Sequence, residues 1–406
     1  MMQDKPCLSL VERDRRYKQV REAMKERGLD ALLVWGHSGK WDWHAANIHY
    51  LSGGVGGNGF EGLLVFTHEG DPTIVKGHAH CYVEGWIEYG SWVPEQNFRS
   101  PEGGYLKTAV ERLKELKLTK AAIGIPGMIQ QTGIAFNMGM FTALREALPE
   151  ADLRDASGLI EDIRAMKSPE EIVLMERAAE IGEAAIATLA KVARPGVPEN
   201  EVVAAMFHTM ISEGADLPIM FLWNTGQEMS SSLGKPMYVN RLVFTRKRPL
   251  QNGDVILMEF SPRFHGYCGH LNVPAVIGDW PPDKEYEKVY RAAQAAYRAG
   301  WNALRPGITA GELHKTFWEP FGAAGLMNSG LLFHGEGLGN EGLGIGGVIT
   351  KGQDPTVIRE GVTIAFEPKA CLPGSTRGIM LGDVVQVTRD GPRRVGKREP
   401  EIVICK

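Results

Sequence analysis

The chain repeats itself at long range, and this limits its fold more than any other feature. Arg194-Pro-Gly-Val-Pro-Glu-Asn-Glu-Val leads into a helical segment, and Arg305-Pro-Gly-Ile-Thr-Ala-Gly-Glu-Leu does the same 111 positions later. Beyond each lies a second match. Gly253-Asp-Val-Ile-Leu-Met-Glu259 is echoed 108 positions on by Gly361-Val-Thr-Ile-Ala-Phe-Glu367. Both segments read as a turn, an apolar strand and a terminal glutamate. Two landmarks at nearly the same offset predict two similar helix–helix–sheet units in one pseudo-symmetric domain. Under such symmetry Glu259 and Glu367 face each other across a shared cleft.

The residues before this repeat alternate differently. Ser9-Leu-Val-Glu12 reads as a capping box, with Tyr17, Val20 and Met24 on one helical face and Gly28 ending the helix. Apolar strands are expected at Ala31–Trp35, Gly62–Phe66, Pro72–Lys76 and Ala121–Ile125, with helices at Lys107–Leu116 and Ile134–Leu148. That alternation is α/β. Ser168-Pro-Glu-Glu171 then offers an N-cap, a proline at the first helical position and a glutamate at the third, opening a long helix to Ala193. The expected division is a smaller α/β domain over residues 1–162 and a catalytic domain over 163–406.

Composition excludes several functions. With a net charge of −4, nothing draws the chain to phosphate backbones, so no nucleic-acid partner is expected. No apolar run reaches the roughly 18 residues of a membrane span, and the first residues hold no apolar signal segment. Five scattered cysteines without a Cys-x-x-Cys pair suit a reducing cytoplasm.

The chemistry-bearing residues gather in the repeated region. Glu259 and His270 are placed for adjacent antiparallel strands joined through Gly266-Tyr267. His334 sits in the glycine-rich stretch Phe333-His-Gly-Glu-Gly-Leu-Gly-Asn-Glu341, where backbone can approach a ligand closely. His270, His334 and Glu367 form a possible mononuclear metal set of two histidines and one carboxylate. Without metal the same groups are an acid–base set, with Glu259 or Glu341 as the second carboxylate. Asp383 reads as a supporting or turn residue. The segment Trp35–His44 is rich in tryptophan and histidine. That segment suits an aromatic ligand wall or a dimer contact, and Trp41, Trp43 and His44, with Phe221, Trp223 and Glu341, are the expected substrate-binding residues.

These motifs together resemble the creatinase/aminopeptidase P/methionine aminopeptidase family. Ala31-Leu-Leu-Val and Asn47-Ile-His-Tyr-Leu-Ser-Gly53 resemble the start of its creatinase-type N-terminal domain, and Arg164-Ala-Met-Lys-Ser-Pro-Glu-Glu-Ile172 resembles the junction into its catalytic domain. Gly253-Asp254, Gly266-Tyr267, the His334 loop and Phe366-Glu367-Pro368 follow in family order. The resemblance implies an α+β fold: a pita-bread C-terminal catalytic domain preceded by the smaller α/β domain. It also implies a homodimer in which Trp41–His44 reaches the partner's pocket.

The family's metal-dependent members hold two metals on two aspartates, a histidine and two glutamates. Here Glu259 takes the first aspartate position and His270 the second, bridging one. His334 and Glu367 are kept, while the final bridging glutamate falls at Gly382. A histidine that the resemblance places at Glu341 is absent. The implied cofactor is therefore none, or one divalent ion, and not a dinuclear centre. The expected function is a small-molecule enzyme that hydrolyses a C–N bond, with His334 and Glu367 as acid–base core and His270 and Glu259 binding or polarising substrate. The alternatives are a lyase acting by elimination or retro-aldol cleavage, and a non-catalytic binding protein.

Overall fold

A computed structural model describes residues 7–37, 43–54, 60–77, 87, 89–127, 136–217, 219–226, 241–242, 247–328, 331–339, 341, 354–374 and 377–406, with backbone alone at 43, 241 and 242. Trp41 lies outside the described residues. The chain forms two compact units, Met1–Leu174 with Leu338–Gly346, and Met175–Gly337 with Gly347–Lys406. The division at Leu174 falls inside one long helix.

In the first unit, six strands form one sheet: β1 (Ala31–His37), β2 (Glu61–Thr67), β3 (Thr73–Lys76), β4 (Phe98–Arg99), β5 (Ala122–Ile125) and β6 (Asp152–Asp155). Their order is β4-β3-β2-β1-β5-β6, antiparallel through β1, β2 and β3 and parallel on both outer sides. Among the described residues, helices α1 (Leu10–Glu26), α2 (Ala46–Ser52), α3 (Tyr105–Glu115), α4 (Met138–Ala147) and α5 (Leu159–Arg164) belong to the same unit. Leu33, Val65 and Ile123 of the sheet bury against Val110 and Leu113 of α3 and Leu144 of α4.

The expected capping box at α1 is half formed. Ser9 Oγ accepts from the Glu12 backbone N–H at 3.1 Å. The Ser9 N–H, however, donates to Glu170, and the Glu12 carboxylate turns to Arg15 and Arg16. A full box opens the long helix α6 (Pro169–Val192): Glu171 N–H donates to Ser168 Oγ at 3.2 Å and Ser168 N–H to Glu171 Oε2 at 2.8 Å.

The second unit carries the repeat. Helices α7 (Glu199–Ser212), α8 (Lys284–Ala303) and α9 (Ala310–Ala323) join the end of α6. The strands are β7 (Met220–Gly226), β8 (Arg241–Leu242), β9 (Val255–Ser261), β10 (Arg263–Phe264), β11 (Tyr267–Cys268), β12 (Leu271–Ile277), β13 (Met327–Asn328), β14 (Phe333–Gly335), β15 (Thr363–Phe366), β16 (Lys369–Cys371), β17 (Gly378–Met380), β18 (Gly382–Thr388), β19 (Gly391–Arg394) and β20 (Val403–Cys405). The main sheet runs β14-β15-β18-β12-β9-β7-β8, with β19 on β18 and β20 on β12. The hairpin β10-β11 and the ribbon β13-β16-β17 stand apart.

The two halves match bond for bond. Gly196 N–H donates to Leu250 O at 2.8 Å, and Gly307 N–H to Ile358 O at 2.9 Å. Gly253 N–H reaches Ile277 O, and Gly361 N–H reaches Val387 O, both at 2.8 Å. Isolated bridges Pro198↔Pro249 and Thr309↔Val357 repeat as well. Gly253 and Gly361 both hold positive φ, 84° and 87°, which a side chain rarely tolerates, so the turn before each strand demands glycine.

Candidate active site

Strand register decides which side chains can meet. Leu222 of β7 and Asn272 of β12 both stand opposite Glu259 of β9, and Gly382 of β18 stands opposite Asn272. Directly opposed residues share one face of a sheet, and alternate residues keep to it. His270, two residues before Asn272, therefore joins that face. His334 pairs with Ala365, which pairs with Val384, two residues from Gly382. Glu367, two residues past Ala365, completes the set. Four residues distant in sequence thus project from one face because their strands lie side by side.

The other face belongs to the helices. Phe221 stands opposite Phe260, Phe260 opposite Leu271, and Leu271 opposite Asp383. Phe221 packs on Phe207 of α7 at 5.0 Å, and Trp223 stacks on Phe221 at 6.2 Å. Phe366 meets Tyr297 of α8 and Phe317 of α9. Phe221 and Trp223 are therefore core residues on the reverse of the sheet, which corrects their expected place in a substrate wall. Asp383 is likewise on the helix side, buried, accepting from Tyr297 Oη at 2.6 Å and paired with Arg394 at 2.7 Å.

At the centre of the site face lies Glu367. Its Oε1 is 2.8 Å from His334 Nε2 and 2.9 Å from His270 Nε2, and its Oε2 is 2.7 Å from Lys369 Nζ. All four side chains are buried. The rings of His270 and His334 stand edge to face at 5.2 Å. Ser261 Oγ lies 2.9 Å from His270 Nδ1, and the Asn272 amide 3.0 Å from His270 Nε2. His334 Nδ1 donates to Gly335 O at 3.0 Å and lies 3.4 Å from Glu336. Glu259 stands slightly apart. It is the most exposed of the group, with Oε1 4.0 Å from His270 Nε2 and Oε2 3.7 Å from Lys369 Nζ.

Electrostatics follow from this packing. Burial favours a neutral Glu367, but the charges of Lys369 and His334 and the bonds from both histidines overcome it, holding the carboxyl well below its ordinary range. Burial likewise disfavours charge on His334, yet Glu367 and Glu336 prevail and lift the imidazole to about 9. Glu367 is therefore an anion flanked by an imidazolium.

Sequence reasoning missed Lys369 and Glu336. A lysine two residues past Glu367, in the apolar strand Lys369-Ala-Cys371, was the available signal. Glu341, expected as acid, base or substrate contact, is buried in the first unit. Its carboxylate takes Lys167 Nζ at 2.6 Å, Arg164 Nε at 3.2 Å and the Leu338 N–H at 2.8 Å. These bonds make it a structural anion. Trp43 begins a short 3-10 turn with His44, and the half-buried His44 ring lies 4.6 Å from His37. His265, held at φ 46°, is buried.

His270, His334 and Glu367 each offer one ligand atom, all within 4.8 Å of one another, a spacing that a single divalent ion fits. The Gly382 position differs. A Cβ built there would lie 1.8 Å from the Phe366 carbonyl oxygen, so no side chain enters without moving backbone.

Residues 173–389 match the model of metallopeptidase family M24, and residues 16–166 match the creatinase/prolidase N-terminal domain. The chain belongs to metallopeptidase family M24. An Xaa-Pro dipeptidase of Pyrococcus horikoshii is 25% identical over 390 residues, spanning 95% of this chain and 98% of its own. A creatinase of a Bacillus species is 23% identical over 404 residues, spanning 97% and 92%. Among solved structures, an Xaa-Pro dipeptidase from Bacillus anthracis superposes with a TM-score of 0.75 at 21% identity, covering 97% of this chain and 99% of that one. The fold is thus the expected α+β pita-bread domain after a creatinase-type N-terminal domain. Among the described residues, no helix is long and apolar enough to cross a membrane.

Proposed function

We propose that this M24 enzyme hydrolyses a C–N bond of a small molecule, and that it does so without a dinuclear metal centre. The observation carrying this reading is the Glu367 hub. One carboxylate there anchors two imidazoles and an ammonium, while a second, Glu259, keeps its oxygens 3.7 Å from Lys369 Nζ and 4.0 Å from His270 Nε2. The names of the relatives, a dipeptidase and a creatinase, support hydrolysis. The histidine at 270 and the side-chain-free Gly382 support the absence of a metal pair, because each stands where the family resemblance expects a bridging carboxylate.

The division of labour follows from availability. Both Glu367 oxygens are occupied and its proton affinity is depressed, so it is a poor base. Glu259 has free lone pairs and the greater exposure, so it takes a proton from water. The water oxygen then bonds to the electrophilic carbon, whose π pair moves to its heteroatom. The cationic His334 and Lys369 stabilise that negative charge. The heteroatom's pair then re-forms the π bond as the C–N bond breaks; the C–N electron pair leaves with nitrogen, which recovers the proton from Glu259. A single divalent ion, if bound, would be held by His270, His334 and Glu367 and would supply Lewis-acid polarisation.

A panel of small amides, amidines and ureido acids, followed by amine or ammonia release, tests the reading. Turnover of one member, lost in Glu259→Gln, is expected. No release across the panel, or unchanged turnover in Glu259→Gln, would reject it. We also propose a homodimer on the strength of the family resemblance; sedimentation at the monomer mass would contradict that.

A further inference from the structure

Lys369 has the least ordinary place in the cluster. Its ammonium is buried between the two strand-end carboxylates, 2.7 Å from Glu367 Oε2 and 3.7 Å from Glu259 Oε2. The repeat makes this asymmetry visible. Glu259 corresponds to Glu367 at the 108-residue offset, and Ser261 then corresponds to Lys369. One half supplies a hydroxyl to His270; the other supplies a cation to both carboxylates. Two carboxylates converging in a low-dielectric site need a countercharge at that point. A lysine there is tethered by strand pairing, since Lys369 stands opposite Met380 in the β13-β16-β17 ribbon.

We propose that the Lys369 ammonium is a built-in cation that occupies the point between Glu259 and Glu367 where a divalent ion would otherwise bind, and so limits the cluster to the one ion that His270, His334 and Glu367 can ligate. An ammonium supplies one positive charge and three directed donors, but no coordination sphere. It also cannot be removed by a chelator. Gly382 reinforces the limit, because no third carboxylate can enter there to help hold a second dication.

The inference rests on reading this cluster as the working site. Its readout is metal stoichiometry, so a failure to find C–N hydrolysis would sink that reading and leave this one standing. The test is calorimetric titration of the intact protein with divalent manganese, with thermal melts in parallel, for wild type, Lys369→Met, Lys369→Arg and the double variant Glu259→Gln/Lys369→Met. Lys369→Met is expected to bind one equivalent more than wild type, at least about tenfold tighter than any residual wild-type binding, and to melt higher with the ion present. Lys369→Arg should behave as wild type, and the double variant should lose the extra equivalent. If Lys369→Met folds only with manganese added, that rescue is the same expected result. Two equivalents in wild type, no extra equivalent in Lys369→Met, or no rescue of an unfolded variant would overturn the proposal.

Discussion

Glu341 in the first unit and Glu367 in the second are both buried carboxylates held by cations, yet they are built for different ends. Glu341 is satisfied by Lys167 at 2.6 Å, Arg164 at 3.2 Å and the Leu338 N–H at 2.8 Å. Burial disfavours its ionised form, but these partners hold its carboxyl below the usual range. Glu367 is held instead by the Lys369 ammonium and by two imidazoles. Beside it stands Glu259, whose oxygens are not spent. The contrast separates an anion saturated by its partners from one that stands among imidazoles, beside a second carboxylate with oxygens to spare.

Breaking each centre should give opposite phenotypes. Glu367→Gln should lower turnover by about 10²–10⁴-fold, as expected for removing a group that orients acid–base partners, measured as kcat on a folded sample. Lys167→Met should instead act on stability. Leaving Glu341 with one fewer buried partner is expected to cost about 3–5 kcal/mol in denaturant melts. A collapse of stability in Glu367→Gln with turnover per folded molecule retained would reverse the comparison.

Acid sharpens it further. The folded-state value of Glu341 lies below its ordinary 4.5, so its pairing contributes stability above that value. The contribution is lost as pH falls through the lowered folded value. Denaturation on the acid side of pH 4.5 should therefore become less steep with pH in Glu341→Gln, followed by circular dichroism. An unchanged acid limb would show that other carboxylates, such as Glu12, dominate. The smallest effect is expected at the edge of the chemical centre. Ser261→Ala removes the 2.9 Å contact to His270 Nδ1 and should reduce kcat by about tenfold or less, the scale of one buried hydrogen bond.

Much of this was readable from the chain, for identifiable reasons. The duplicated Arg-Pro-Gly and Gly-x-x-x-x-x-Glu landmarks record a repeated backbone, and the matched bonds at Gly196 and Gly307 show why the same residues recur. Glu259, His270, His334 and Glu367 came together as read, because strand-end acids and glycine-flanked histidines leave a mark in sequence. Sheet parity did not. The aromatic character of Phe221 and Trp223 suits a site, but which face they occupy depends on register against Glu259, and register is a property of pairing rather than of either strand alone. The pairing of Glu341 is not legible locally, because its partners, Arg164 and Lys167, lie far from it in the chain. Lys369 does leave a mark: a charged residue in an apolar strand, two positions past a site carboxylate.

The most direct test of the central claim is metal content measured together with turnover. Purified protein saturated with divalent manganese and then desalted should carry no more than one ion per chain by elemental analysis, and should hydrolyse its C–N substrate at that stoichiometry. Two tightly held ions per chain, with turnover rising only as the second is filled, would contradict the account.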